Sequence, residues 1–290
     1  MTSTIIWRDE VWDGLQVGSV IGRTQWICNG LLRDWITWQT SSGSHQVQYA
    51  ALTSCLKSLS PTRDERLEPG EPIRLPHDTR DIPTLRLPYG DVPVVHASAG
   101  IRRIIALAYM MVWAWQEHLA NSKLIRKRPQ KRLVLLIDEV EAHLHPTWQR
   151  VIVPSIMNAV AELAPTVHVQ IHVVTHSPMV MASAETVFNH DLDSLHHFRL
   201  DGLNVILERL QFVKRGRADL WLMSDVFGLE QARSLPAEEA IETAKSLQLA
   251  ASPSEEDVRT IHGRLVRSLA PDDDFWPRWR YFALQHGVDK

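Results

Sequence analysis

The chain has 290 residues, enough to bury a core as one large domain or two small ones. With 44% hydrophobic and 22% charged residues it is compositionally an ordinary globular chain, and no apolar stretch reaches membrane-spanning length. A net charge of −3 argues against a bulk electrostatic nucleic-acid binder, and the two cysteines, Cys28 and Cys55, supply neither a disulfide framework nor metal spacing. Met1-Thr2-Ser3-Thr4 carries no signal-peptide pattern, so the expectation is a soluble, cytoplasmic protein with reduced thiols.

Residues 1–90 read as a mixed segment. Thr24 to Gln39 places Ile27, Leu31, Trp35 and Trp38 on one side of a predicted helix, interrupted by Asn29-Gly30, and Tyr49 to Leu59 reads as a second helix. Residues 60–82, rich in Pro, Asp, Glu and Arg, read as a long irregular connection. Pro83 to Tyr89 and Val92 to His96 read as short strands around a turn containing Gly90. From Ser98 to His118 the positions Ile101, Ile104, Ile105, Ala108, Met111, Val112 and Trp115 follow helical spacing, with Ser98 as N-cap. The basic run Lys123 to Arg132 reads as a solvated loop, or as a segment attractive to a DNA backbone.

Leu133-Val134-Leu135-Leu136-Ile137 is an unbroken apolar run that predicts a strand buried on both faces, and it leads into Asp138-Glu139. After Glu141 to Pro146, His145-Pro146 turns the chain into a helix from Trp148 onward, which Pro154 kinks or restarts. Val167 to Val174 predicts a second strand, ending in Thr175-His176-Ser177-Pro178. Residues 201–290 read as an accessory region. It holds a strand pair turning at Gly202, then helices over Pro236 to Leu249 and Ser254 to Leu269, the latter opened by a Ser254/Asp257 capping box. In the tail, Asp272 to Asp274 read as a solvated turn before an aromatic anchor rather than a metal site.

Carboxylates at the end of a sheet strand lie where open α/β sheets place their ligands. Phosphoryl transfer needs one acid there to hold magnesium and a second to orient the attacking water, roles that suit Asp138 and Glu139. The free amides and dipole at a helix start suit Ser98-Ala99-Gly100 to a phosphate. An imidazole just past a strand, as at His176, can hydrogen-bond a γ-phosphate and sense its loss. Arg102 and Arg103 can meet phosphate, nucleic acid or carboxylates of a facing subunit. The plainer readings are a solvated acidic turn, a capped core helix and a core-edge histidine. A different chemistry is also open. His143 and His145 beside the acids, with His168, Gln170 and His172 on one strand face, suggest a hydrolase built on histidine-bound metal.

Taken in order, Ser98-Ala99-Gly100, Asp138-Glu139, the Glu141 to Pro146 segment and His176 resemble the second half of an ABC-type ATPase of the SMC-like branch. That branch includes the AAA-domain ATPases of bacterial DNA repair and anti-phage defence. The resemblance covers about residues 91–185. It implies a signature motif at Ser98, Ala99 and Gly100 that binds nucleotide, and a Walker B pair in which Asp138 holds magnesium and Glu139 is catalytic. It further implies a D-loop at Glu141 to Pro146 and a catalytic switch histidine at His176. The expected fold is α/β and P-loop NTPase-like, with an ABC-ATPase-type mixed sheet, flanking helices, an incomplete N-terminal lobe and a helical C-terminal region. Its divisions would be 1–90, 91–200 and 201–290. ATP and magnesium are the implied cofactors, and a homodimer or a P-loop-containing subunit the implied partner, with DNA or a nuclease as a further one and no membrane.

The family opens with G-x-x-x-x-G-K-[ST], and no Gly-Lys pair occurs in this sequence. Gly18 to Thr24 comes nearest, one residue short between the glycines and with Arg23 for Lys, and reads as a coincidental loop. The family also usually has glycine at the place of Ala99 and Gln or Glu at that of Ile101. The chain therefore reads as the C-terminal portion of an ATPase: a fragment, a split subunit or a degenerate, non-catalytic interaction subunit.

Overall fold

A computed structural model describes residues 8–20, 23–43, 45–62 and 64–288. The chain divides into two compact units, residues 1–218 and 219–290. The architecture is mixed α/β, with several small sheets rather than one continuous sheet.

The first unit begins with α1 (Arg8–Asp13) and an antiparallel hairpin, β1 (Leu15–Val20) and β2 (Arg23–Cys28). The Gly18 to Thr24 segment thus belongs to a hairpin, with Ile21 and Gly22 outside the described residues. No described residue of that segment opens a helix, since Val20 and Arg23 are paired strand residues. Only the second half of the predicted Thr24–Gln39 helix is helical, as α2 (Leu31–Thr40). The cause is a backbone contact between two glycines in the left-handed region, Gly14 (φ 97°) and Gly30 (φ 90°). A Cβ on Gly30 would sit 2.4 Å from the Gly14 nitrogen, so the chain crosses itself where only glycine fits and the helix starts after the crossing.

Next come α3 (His45–Ser58), the short strands β3 (Glu68–Pro69), β4 (Ile73–Arg74) and β5 (Asp81–Ile82), and the hairpin β6 (Thr84–Leu87) with β7 (Gly90–Pro93). The predicted strand Val92–His96 ends early, because Val94–His96 forms a 3-10 turn after Pro93. Ser98 caps α4 (Ala99–Leu124), its hydroxyl accepting from the Ile101 N–H at 3.3 Å. Then follow β8 (Arg132–Ile137), α5 (Pro146–Gln149), α6 (Ile152–Leu163), β9 (His168–Val173), α7 (Pro178–Ala184) and the hairpin β10 (Leu195–Asp201) with β11 (Asn204–Leu210). Pro154 lies in the first turn of α6, where its missing N–H costs nothing, so it marks a restart rather than a kink.

One core holds Leu31, Trp35 and Trp38 of α2, Leu52 and Leu56 of α3, Ile104, Ile105, Ala108 and Val112 of α4, and Ile152 and Ile156 of α6. Residues of 1–90 and of 91–200 therefore share a single hydrophobic interior. β8 and β9 form a two-stranded parallel sheet laid on it, with Leu133, Leu135, Ile137, Val169, Ile171 and Val173 inward. Contrary to the expectation of burial on both faces, the outer face is open: Val134 is 56% and Leu136 73% exposed. His168, Gln170 and His172 share that outer face. Parallel sheets normally have both faces covered, so an apolar run long enough for double burial is here covered on one side only.

The second unit comprises residues 219–290, begun by the end of α8 (Ala218–Leu222). α9 (Leu235–Gln248), α10 (Glu255–Ser268) and α11 (Trp276–Gln285) pack around Ala240, Ile241, Val258, Leu265, Trp276 and Trp279. Ser254 caps α10 by accepting from the Asp257 N–H at 3.1 Å. The aspartate tail is the turn before the aromatic anchor, and Asp273 accepts two hydrogen bonds from Arg233, both at 2.9 Å. Among the described residues no helix is long and apolar enough to cross a membrane.

The Arg233 hydrogen bonds, with help from the Phe275 N–H, hold the Asp273 carboxyl below the usual aspartate value. A carboxylate lowered on folding stabilises the fold above its unfolded pKa of about 3.9 and loses that contribution as pH falls through the folded value. Chemical unfolding followed by tryptophan fluorescence should therefore separate Asp273→Asn from the parent chain by about 1–3 kcal/mol at neutral pH. The gap should hold down to about pH 5 and close below about pH 4. Equal stabilities at pH 7 would show that the pair contributes nothing.

Candidate functional site at the ends of two parallel strands

β8 and β9 run in parallel register, Ile137 opposite Val173, and so end at the same edge. The pairing runs slightly past both strands: the Val174 N–H donates to the Ile137 carbonyl at 2.9 Å and the Val140 N–H to the Val174 carbonyl at 3.4 Å. Asp138-Glu139 and Thr175-His176 are thereby brought together, although 35 residues or more apart in the chain. Asp138, Glu139 and His176 are all exposed. Among the described residues the carboxylates of Asp138 and Glu139 have no hydrogen-bond or ion-pair partner.

The backbone beneath them is tightly held. Glu139 lies in the left-handed region at φ 47°, as does His143 at φ 65°. Non-glycine residues adopt this conformation only where their surroundings impose it. Arg103, from the first turns of α4, supplies such a restraint: one guanidinium nitrogen donates to the carbonyls of Asp138 (3.0 Å) and Glu139 (2.8 Å). Neighbouring Arg102 keeps its Nε buried and without a hydrogen-bond partner among the described residues.

The two strand ends are tied by Glu141. Its carboxylate accepts from the His176 N–H at 2.6 Å and from the Thr175 hydroxyl at 2.7 Å. The Thr175 hydroxyl oxygen in turn accepts from the Ser177 N–H at 3.0 Å. Ser177 caps α7, accepting from the Met179 and Val180 N–H groups, and donates to the Gln149 side-chain carbonyl at 2.6 Å. Gln149 closes the circuit by donating to the Leu144 carbonyl at 2.9 Å.

Gly100 lies against the same loop. A Cβ there would stand 2.7 Å from the His143 carbonyl oxygen, so the room this glycine leaves is taken by protein backbone. Ser98 is exposed and Ala99 half-buried at the start of α4, next to that contact. The histidines do not converge. His145 Nδ1 caps α5 by accepting from the Thr147 N–H at 3.3 Å, and His168 and His172 stand on the open sheet face. Among the described residues no three His, Cys, Asp or Glu side chains are grouped to hold a metal ion, so the histidine-metal reading has no site there. The basic run Lys123 to Arg132 is exposed throughout, as a solvated loop would be.

Two unpartnered carboxylates on a fixed turn fit a hard divalent cation such as magnesium. That ion takes one or two carboxylates and completes its shell with water and phosphate oxygen. The sequence reading missed Arg103 and Glu141 as anchors. Both act largely on backbone groups, which leave no side-chain signature. The one sequence sign was a carboxylate two residues beyond the acidic pair and a Thr-His-Ser run ending the next strand.

Residues 88–181 match the AAA ATPase domain family, and that span contains α4, both parallel strands and His176. The chain is also similar to the Retron Ec83 probable ATPase of Escherichia coli, with 27% identity over 147 residues. That alignment covers 49% of this chain and 23% of the relative, so the chain spans about a quarter of that protein's length.

Removing the Glu141 carboxylate leaves the His176 amide without its acceptor. Glu141→Ala should accelerate hydrogen exchange at His176 and lower stability by about 0.5–1.5 kcal/mol, the usual net worth of a hydrogen bond whose donor can turn to water. Unchanged exchange across residues 174–177 would show that the carboxylate does not tie the strand ends.

Proposed function

We propose that the chain is an ATP-binding and ATP-hydrolysing module acting in the cytoplasm within a larger assembly. The carrying observation is the shared end of β8 and β9: two carboxylates without a protein partner among the described residues follow one strand, and a histidine whose backbone is pinned by Glu141 follows the other. The AAA ATPase match over the same residues supports it.

In this reading Asp138 would hold magnesium, which when bound would neutralise phosphate charge. A Glu139 carboxylate oxygen orients the attacking water and accepts its proton. The His176 imidazole donates to the γ-phosphate. Ser98 and Ala99, with Gly100 setting their position against His143, present the start of α4 to nucleotide. Arg103 and Glu141 position these groups without touching the reacting atoms.

A second participant supplies the phosphate cradle. No Gly-Lys pair is present, and the nearest sequence approach to a P-loop lies in the β1–β2 hairpin. The open outer face of β8, with Val134 and Leu136 uncovered, supports a further lobe or subunit packing there, since parallel sheets are covered on both sides. A homodimer, or a pairing with a P-loop-bearing subunit, belongs to this proposal, as does a role in phage defence alongside DNA or a nuclease. The relative that the chain resembles is itself a probable ATPase of a retron. The missing lysine equally favours a second reading, a non-catalytic interaction subunit that keeps the fold.

One experiment separates them. The isolated chain should hydrolyse ATP poorly, because losing even one preorganised phosphate contact typically costs about 100-fold in rate. Adding a P-loop-bearing lobe or subunit should restore magnesium-dependent turnover. Glu139→Gln should then lower turnover about 100-fold or more while sparing ATP binding. An assembly that binds ATP but turns none over favours the interaction subunit. Vigorous hydrolysis by the isolated chain, indifferent to Glu139→Gln, contradicts both the site and the need for a partner.

A further inference from the structure

Six of the ten residues from Lys123 to Arg132, between the end of α4 and the start of β8, are Lys or Arg, and none is acidic. All six cations are exposed, and their side chains have no hydrogen-bond or ion-pair partner among the described residues. Arg132 opens β8 on its open face and pairs with His168 of β9, so the cluster continues onto that face beside an imidazole. β8 is six residues long, which sets this end about 20 Å from the acidic pair at about 3.3 Å per residue.

The segment is held in one shape. The Arg126 N–H donates to the Lys123 carbonyl at 3.2 Å and the Lys127 N–H to the Ser122 carbonyl at 2.9 Å, the paired bonds that end a helix through a left-handed residue. That residue is Arg126, at φ 54°. Glycine is the usual occupant, because an L side chain there crowds its own backbone. Further on, the Gln130 N–H donates to His118 Nε2 at 2.9 Å, and the Lys131 carbonyl accepts from the His168 N–H at 2.9 Å. The helix dipole favours cations at the end of α4, and its effect fades within a turn. It leaves Arg128, Lys131 and Arg132 without an offset for their mutual repulsion. Lys123 and Lys127 serve it without the strain that Arg126 takes on.

We propose that this segment binds the phosphate backbone of a nucleic-acid duplex, without regard to base sequence. A duplex carries one charge per about 1.7 Å of axis, and each cation that meets a phosphate releases counterions. Three of the six cations are arginines, whose planar fork suits phosphate oxygens. A duplex fits better than a single strand, because single-strand sites add aromatic platforms for the bases. Trp115, on the last turns of α4, is half-buried and already stacked on His118. A duplex also fits better than an anionic membrane. Leu124 and Ile125 are the exposed apolar residues of the segment, far short of the apolar helix face that membranes take up. The whole chain carries −3, so a flat anionic surface would also meet the more negative remainder, whereas a narrow rod engages the segment alone. The site is independent of the ATP reading and shares none of its residues.

The test uses the full chain without nucleotide, and the fluorescence anisotropy of labelled mixed-sequence DNA and RNA duplexes and of a single strand of equal length. Saturable duplex binding is expected, weakening about 100-fold or more between about 50 and 200 mM salt, as about four phosphate contacts imply. The single strand should bind more weakly, since it releases fewer counterions per contact. Lys127→Glu combined with Arg128→Glu should weaken duplex binding about 50-fold or more, with the circular dichroism spectrum retained. Arg126→Gly removes a charge while supplying the residue that the turn favours. It should weaken binding and flatten the salt slope by about 0.9, with the melting temperature unchanged or raised. Whichever duplex binds tighter, DNA or RNA, identifies the source, and equal binding means that both are taken. Absent or salt-independent duplex binding, a single strand that binds as tightly, indifference to the double reversal, or binding to phosphatidylserine vesicles in place of the duplex overturns the proposal. With no ATP present, none of these outcomes bears on the acidic pair.

Discussion

The Glu141 carboxylate is the joint on which the candidate site depends. Two strands that end side by side do not by themselves fix the residues that follow them, because beyond the last ladder bond each chain is free to diverge. Glu141 reaches from the turn after β8 to the first residues after β9 and takes both an N–H and a hydroxyl. Bonds to an ionised acceptor are shorter and stronger than neutral ones, which suits this one to hold two loops in register. Arg103 complements it from α4 by gripping the two carbonyls under the acidic pair. Clamped from both sides, Glu139 and His143 can remain in the left-handed conformation that free chains avoid.

The same joint explains why the acids are available. Arg103 bonds their carbonyls, and Glu141, not Asp138 or Glu139, meets the donors of the neighbouring loop. The two carboxylates are left pointing at no protein partner among the described residues. Gly100 completes the packing by letting the start of α4 touch the His143 carbonyl, so that Ser98 and the acidic turn keep a fixed relation. The open face of β8 and β9 belongs to the same account. A two-stranded sheet is marginal alone, and this one rests on the α3, α4 and α6 core on one side only. Its apolar outer residues have the character of an interior surface without its cover.

Much of this was legible from sequence where one local signal dominated. The long periodicity of α4, the Ser98 and Ser254 caps, the Gly202 hairpin turn and the two apolar strands are all as read, within a few residues. The failures have tertiary causes. Ile27, Leu31, Trp35 and Trp38 fit a helix, but the Gly14–Gly30 crossing breaks it after Cys28. Val94 to His96 leaves the extended form after Pro93. The run Leu133 to Ile137 has the composition of a doubly buried strand, and composition cannot distinguish a covered face from an uncovered one. At the site, Asp138, Glu139 and His176 stand out as chemical side chains at strand ends. Glu141 and Arg103 did not, because the groups they meet lie some 35 residues away and are mostly backbone.

The central claim is that the acidic pair and the His176 segment form one nucleotide-binding edge. Paramagnetic broadening by manganese(II)–ATP measures this directly on the isotopically labelled chain, and it registers even weak occupancy. The account predicts that the amides of Asp138, Glu139, Thr175 and His176 broaden together at low manganese(II)–ATP, with the residues around Ser98 next. Broadening confined to another surface, or to one strand end without the other, would contradict it.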